Sequence, residues 1–463
     1  MLKQILHIIL LVVLITFTRC NSDSKNTETY FGGKIINPKS KYIVLYSMDK
    51  VIDTFYLNAN DKFIGKIHNA KEGLYYFKHG LEHQYVYIEP RDSLQIRLNT
   101  WDFDESLVFA GKGAERNNLL IDCFVEDEKD NQLFYPLYKL NPSAFQKKMD
   151  SILKVKLSTY QEYVSSHSEE TPAYNTILKV ALTYPIYTRI ENYPLAYVRY
   201  TNAKDFPETT STFYKHRNQI RLNNDSLMYY YPYSKYVRSF LYNTTYNLGH
   251  KPMFEEYSTK FTLDLLQTIN QKINTSISKN VFLKQTVIEH FYTKFNTSVN
   301  EKTFEKFFEL TTNKNDARQL KLLLNDSKYL TVGKEIEDFT VTDFSNETHT
   351  IKQLLQNKYT CLLFWSLEHF SKSYISSRIN FLQKKYPEIT FYTIEYNTTS
   401  AEKIYNLKTK NQYFINAQSN ANKLLTSKMP RVILLDKETK VINGFTSISS
   451  NYIFQQINQL IKK

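Results

Sequence analysis

The stretch Tyr359-Thr360-Cys361-Leu362-Leu363-Phe364-Trp365-Ser366-Leu367-Glu368-His369-Phe370-Ser371-Lys372 decides how the last third of this chain reads. Residues 359–365 are a near-continuous apolar, β-rich run, as expected of a strand buried on both faces. A helix is predicted from about Ser371 to Tyr386, then a strand over Ile389–Ile394. Met429-Pro430 stand directly before another apolar run, Arg431–Asp436. A turn at Lys437-Glu438-Thr439 leads to Lys440-Val441-Ile442, and a last helix is expected over about Asn451–Lys462. With a first strand at Phe339–Asp343, residues 331–463 alternate β and α and imply an α/β domain.

This order, with an aromatic strand end running into a helix and a proline before the third core strand, resembles thioredoxin-like proteins. More closely, it is similar to the TlpA and ResA type of envelope thiol-disulfide reductase. In that family the segment after the aromatic strand end carries Cys-x-x-Cys. Here His369 and Lys372 stand at those two places. Disulfide exchange needs a thiolate nucleophile and a second sulfur to resolve the mixed disulfide. An imidazole and an ammonium supply neither, so the expectation is a redox-inactive thioredoxin-like domain with no catalytic residue assigned. Cys361 lies inside the strand and reads as a small core residue. The resemblance also implies a cis peptide before Pro430 and a groove beside Met429, Pro430 and Trp365 that receives extended peptide. The alternative is an oxidoreductase or other enzyme with a rewired site around His369, with Glu368, Lys372, Ser366, Ser371 and Ser373 nearby. No Gly-x-Ser-x-Gly elbow accompanies these residues, and no metal-ligand spacing includes them. No metal and no cofactor are expected.

Upstream, seven of ten glycines fall in residues 32–113, where turns should be tight and frequent. Tyr42–Tyr46, Tyr85–Ile88 and Ser93–Leu98 are β-rich, and the last alternates apolar and polar residues. Residues 30–112 are therefore read as an antiparallel β-sandwich of about seven strands. The order of elements resembles the β domain that precedes thioredoxin-like domains in envelope lipoproteins. His68, His79 and His83 lie there without metal spacing. Residues 113–330 read as helix, with apolar positions at helical spacing from Phe145 to Tyr163. The abundant tyrosines, as in Tyr229-Tyr230-Tyr231-Pro232-Tyr233, are expected to fill helix contacts.

The chain opens with Met1-Leu2-Lys3 and an apolar run from Ile5 to Phe17. Thirteen residues suit a signal-peptide core and are too few to span a bilayer. Phe17-Thr18-Arg19-Cys20 resembles a bacterial lipobox, although Arg19 occupies a place where a small residue is usual. The resemblance implies a signal peptide at 1–19, lipid on Cys20 and a polar tether over 20–29. The implied location is a Gram-negative cell envelope, held on a membrane through Cys20. The formal charge is +13, and removing Lys3 and Arg19 leaves +11. The basic residues are scattered, so no nucleic-acid partner is expected. Cys123 and Cys361 lie far apart and predict no disulfide. The fold class is multidomain α+β: sandwich, helical middle region and thioredoxin-like domain. The function expected from it is binding or scaffolding of a protein or peptide partner.

Overall fold

The computed structural model describes residues 28–48, 50–254, 257–293, 301–355, 357–396, 407, 409–450 and 452–462. The signal-peptide reading, Cys20 and all but the end of the tether lie outside the described residues. No helix among the described residues is long and apolar enough to cross a membrane. The chain divides into two compact units. One holds the described part of residues 1–137 with 145–187 and 229–233; the other holds 138–144, 188–228 and 234–463.

In the first unit eight strands form two four-stranded sheets. They are β1 (Thr29–Ile36), β2 (Tyr42–Ser47), β3 (Lys50–Tyr56), β4 (Lys62–Ile67), β5 (Gly73–His79), β6 (Glu82–Ile88), β7 (Ser93–Asn99) and β8 (Val108–Lys112). One sheet runs β4-β1-β7-β8, the other β3-β2-β5-β6. Period-2 patterning sets the faces: in β7, Leu94, Ile96 and Leu98 are buried, while Ser93, Gln95 and Arg97 are exposed. Phe31, Phe77, Ile88 and Leu98 meet in one core between the sheets. The antiparallel expectation needs one correction, because β1 and β7 pair in parallel. The chain between them makes β2 through β6, long enough to bring β7 back beside β1 in the same direction.

Helices α1 (Ala114–Phe134), α2 (Pro142–Ser166) and α3 (Pro172–Thr201) follow, and α3 contributes to both units. Arg116 of α1 is nearly buried and reaches Asp92, Glu89 and Glu170. Tyrosines fill much of the apolar space here: Tyr174 packs edge-on to Tyr87, and Tyr230 to Tyr85.

The second unit contains α4 (Tyr231–Tyr246, from Ser234 on), α5 (Thr259–Lys272), α6 (Ser276–Thr293), α7 (Glu301–Leu310) and α8 (Lys314–Tyr329). Side-chain caps start two of them. Ser258 Oγ accepts the Phe261 N–H at α5, and Asn313 Oδ1 accepts from Asn315 and Asp316 at α8. Within this unit Glu191 is buried and accepts from His216, both Arg217 nitrogens Nε and Nη2, and Asn243. Burial alone would raise its pKa, but Arg217 and His216 outweigh it and hold the carboxyl below its ordinary value. A depressed acid contributes stability above its unfolded pKa and loses it as pH falls through the folded value. Glu191→Gln should therefore cost about 2 kcal/mol at pH 7, and the gap to wild type should close below about pH 4. Thermal melts from pH 3 to 8 check this; a gap that stays constant contradicts it.

The rest of the unit is a seven-stranded sheet, β10-β9-β13-β12-β11-β14-β15. Its elements in chain order are β9 (Thr340–Thr342), β10 (Thr348–Thr350), α9 (Ile351–Leu355), β11 (Tyr359–Trp365), α10 (Lys372–Lys385), β12 (Ile389–Glu395), β13 (Gln412–Phe414), β14 (Arg431–Leu435), β15 (Val441–Thr446) and α11 (Ile453–Ile461). β11 lies parallel to β12 and antiparallel to β14, and β14 is antiparallel to β15. A β-α-β crossover joined to a β-β-α hairpin unit around β11 is the thioredoxin-like arrangement expected from the sequence. Successive β11 residues point to opposite faces: Cys361, Leu363 and Trp365 pack under α10 and α11, and Leu362 and Phe364 fill the other side. Burial on both faces explains the unbroken apolar run. The three-residue strands β10 and β13 were not legible, being too short to show a period.

Candidate functional site

Trp365 ends β11, and the backbone turns through Ser366–Phe370 before α10 begins at Lys372. His369 and Phe370 both donate their N–H to the Ser366 carbonyl, at 3.2 and 3.1 Å. Ser371 caps α10, its Oγ accepting the Tyr374 N–H at 3.0 Å. The geometry of a reactive helix N-terminus is thus present, where a thiol would have its pKa lowered. His369 is exposed in this loop and Lys372 occupies the first helical position. The protein around the imidazole lowers its pKa by desolvation; Glu368 opposes this and Lys284 adds to it.

Neither cysteine among the described residues offers an accessible thiol. Cys361 is fully buried in β11, and burial pushes its thiol far up. Cys123 is buried in α1, its thiol pushed up to about 12. Neutral, inaccessible thiols are poor nucleophiles. No disulfide joins them; both are free.

The arrangement does contain one hydroxyl beside one imidazole: Ser366 Oγ lies 3.2 Å from His369 Nδ1. Ser366 is only 2% exposed, so a substrate cannot reach its oxygen. Among the described residues no carboxylate accepts from the other ring nitrogen to orient the base. A nucleophile needs both access and an oriented base, so this pair closes the loop and does not make a hydrolytic site.

The expected groove was placed beside Met429, Pro430 and Trp365, and none of the three offers an exposed side chain. Trp365 is 1% exposed and packs in the core beneath α10 and α11. Met429 and Pro430 are also buried. The Met429–Pro430 peptide is trans, because no described peptide bond is cis. The turn is made elsewhere: Lys428 adopts φ 54°, and its carbonyl accepts the Tyr396 hydroxyl at 3.0 Å. With the chain already redirected there, the ordinary trans bond suffices.

The chain's own helices cover this edge. Tyr292 of α6 donates its hydroxyl to the Pro430 carbonyl at 2.8 Å. Gln319 of α8 places its amide 3.6 Å from Met429 Sδ. Asp326 of α8, 2% exposed, accepts the N–H of Thr426 at 3.1 Å and of Ser427 at 2.8 Å, and both hydroxyls as well. Next in the chain, Arg431 is fully buried. It donates to the carbonyls of Gly444 and Leu424 and stacks over Phe445, its guanidinium 4.7 Å from the ring centre. Burial lowers its pKa to about 10, with Asp326 opposing. A peptide seeking the backbone at Pro430 would meet the α6 tyrosine instead. Sequence reasoning missed this occupation because Asp326 and Tyr292 carry no local signal of it.

Asp343, Glu347 and His349 bring one ligand atom each to within 4.8 Å of one another at the β9–β10 turn. Asp343 Oδ1 also accepts the N–H groups of Ser345 and Glu347, and His349 Nε2 lies 2.8 Å from Asp343 Oδ2. The group thereby closes its own hairpin, with Asp343 and His349 half-buried and Glu347 exposed.

No family model matches the chain, and no curated protein matches it. Among solved structures it is similar to a Bacteroides vulgatus protein described as a thiol-disulfide oxidoreductase. The identity there is 24%, covering 28% of this chain and 97% of that one, with a TM-score of 0.25. A Chlorobium tepidum protein described as the thiol:disulfide interchange protein DsbE matches at 17%, covering 28% and 99%, TM-score 0.24. The thioredoxin domain of a Bacteroides vulgatus thiol-disulfide oxidoreductase matches at 18%, covering 28% and 97%, TM-score 0.23. These likenesses cover a little over a quarter of the chain, and the strand order around β11 is what makes its C-terminal part thioredoxin-like.

Proposed function

We propose that this chain is a lipid-anchored envelope protein whose thioredoxin-like domain has no redox role and serves as a binding or scaffolding module. The observation that carries the reading is the β11–α10 junction. The helix N-terminus is intact and capped, yet His369 and Lys372 stand where the resemblance places sulfur, and both described thiols are buried. The self-coverage of Pro430 by α6 and α8 supports a structural role and points any protein partner to other surfaces. Cys20 would hold the chain on the membrane, in keeping with the lipobox-like residues before it.

The purified protein is expected to show no insulin reduction above the dithiothreitol background. Turnover that disappears when Cys361 is alkylated would overturn the redox-inactive reading. The double variant His369→Cys/Lys372→Cys should form one internal disulfide under mild oxidant, because His369 lies two residues before the Ser371 cap and Lys372 opens α10. If mass spectrometry never finds that bridge, the register proposed for the junction is wrong. Labelling with a palmitate analogue reads the anchor: wild type should carry label and Cys20→Ala none.

A further inference from the structure

The outer face of the β4-β1-β7-β8 sheet has an unusual charge pattern. Phe31, Ile35, Phe63, Ile67, Leu94, Ile96, Leu98 and Phe109 are buried, so alternation sends the residues between them outward. Those outward positions carry Lys34 on β1, Lys62 and Lys66 on β4, Arg97 on β7 and Lys112 on β8, and not one Asp or Glu. Lys66 is paired with Glu28. Lys34, Lys62, Arg97 and Lys112 are exposed and have no ion-pair partner among the described residues. The face is also hollow. Gly32 and Ala110 leave its floor without bulk, and a depression of about 860 Å³ results, with Ile64 (70% exposed) and Val108 (54%) on it and Tyr56 at its margin. Apolar residues ringed by unpaired cations, without acids among them, are a poor design for a surface that meets only water.

We infer that this sheet face docks on the anionic phospholipid headgroups of a bilayer. Charge complementarity selects an anionic surface: unpaired lysines and arginines close to such a surface attract it, whereas scattered ones do not. The exposed Ile64 and Val108 supply the apolar contact that a headgroup region accepts and a soluble polyanion does not reward. The position of the face agrees. β1, at the centre of the patch, begins at Thr29, nine residues after Cys20. A chain of nine residues spans at most about 30 Å, so a lipid on Cys20 would keep this sheet within reach of the membrane. That last step rests on the anchor proposed above; the charge pattern does not.

The test uses a chain that begins at residue 20 with Cys20→Ser, which carries no lipid and retains every described residue. It is sedimented with vesicles of phosphatidylglycerol and phosphatidylcholine, with pure phosphatidylcholine vesicles, and with the anionic vesicles in high salt. Binding is expected to the anionic vesicles alone and to fade in high salt. The variant Lys34→Gln/Lys62→Gln/Arg97→Gln should bind on the order of 100-fold more weakly, each lost cation counting for a factor of about five. A control, Lys147→Gln/Lys148→Gln/Lys154→Gln, changes net charge equally on exposed positions of α2 and should bind as the parent does. Absence of binding to anionic vesicles overturns the proposal. So does equal weakening by the control, which would mean that net charge alone attracts the protein. Binding to a soluble polyanion that matches the vesicle affinity would assign the face to that partner and not to lipid. Failure of the anchor is seen separately, as missing palmitate label on wild-type Cys20, and leaves the vesicle result standing.

Discussion

Asp326→Ala is expected to lower the melting temperature of the chain by on the order of 10 °C. The carboxylate is 2% exposed and is the common acceptor for the N–H and hydroxyl groups of Thr426 and Ser427. Alanine would leave the buried Ser427 amide and hydroxyl without an acceptor, at about 1–3 kcal/mol for each unsatisfied group. It would also remove the negative charge that faces the buried Arg431. Asp326→Asn retains one carbonyl oxygen and should lose about half as much. The same loop sets the path into β14, so limited proteolysis should cut the alanine variant near residues 424–428 before wild type is cut. A melting temperature within 1–2 °C of wild type would mean that the loop before Pro430 does not depend on α8.

Arg116→Ala should cost about 3–5 kcal/mol, the range for breaking a buried ion pair by removing one partner. Its guanidinium faces Asp92 at 2.5 Å, Glu89 at 3.0 Å and Glu170 at 3.3 Å. Asp92 has no exposed side-chain surface. Burial already raises the pKa of Glu89, with Arg116 opposing. Without Arg116 the folded-state pKa of Glu89, already raised by burial, rises further above the unfolded value. Such groups stabilise below the unfolded pKa and lose that contribution as pH climbs through the folded one. The deficit of Arg116→Ala should therefore be larger at pH 8 than at pH 5, which denaturant melts at the two pH values would read. Lysine at 116 should rescue poorly, because one ammonium cannot fork between Asp92 and the two glutamates. A deficit that is the same at both pH values would contradict the account.

The elements around β11 were legible for a physical reason. A strand buried on both faces must be apolar throughout, and Tyr359–Trp365 is; Arg431–Leu435 repeats the pattern. The cap at Ser371 and the alternation of Ser93–Asn99 are similarly local. The pairing of β1 with β7 was not, since parallel pairing joins residues about sixty apart with no turn between them to mark it. Nor were β10 and β13, at three residues each. The cis reading of Pro430 came from the resemblance, and the peptide is trans because the turn is made at Lys428 instead. The helices that cover Pro430 and Met429 lie more than a hundred residues upstream, beyond any local sequence pattern.

What the sequence by itself determined is chemical: no sulfur at positions 369 and 372, and a strand-to-helix junction at Trp365–Lys372. Residue identity and short-range periodicity suffice for both. Which surfaces are covered and which are free was decided only by tertiary structure. Tyr292, Gln319 and Asp326 close the Pro430 edge, while Lys34, Lys62 and Arg97 gather on one open sheet face from three separate strands. Those cations look dispersed along the chain because strand pairing, a long-range interaction, is what brings them together.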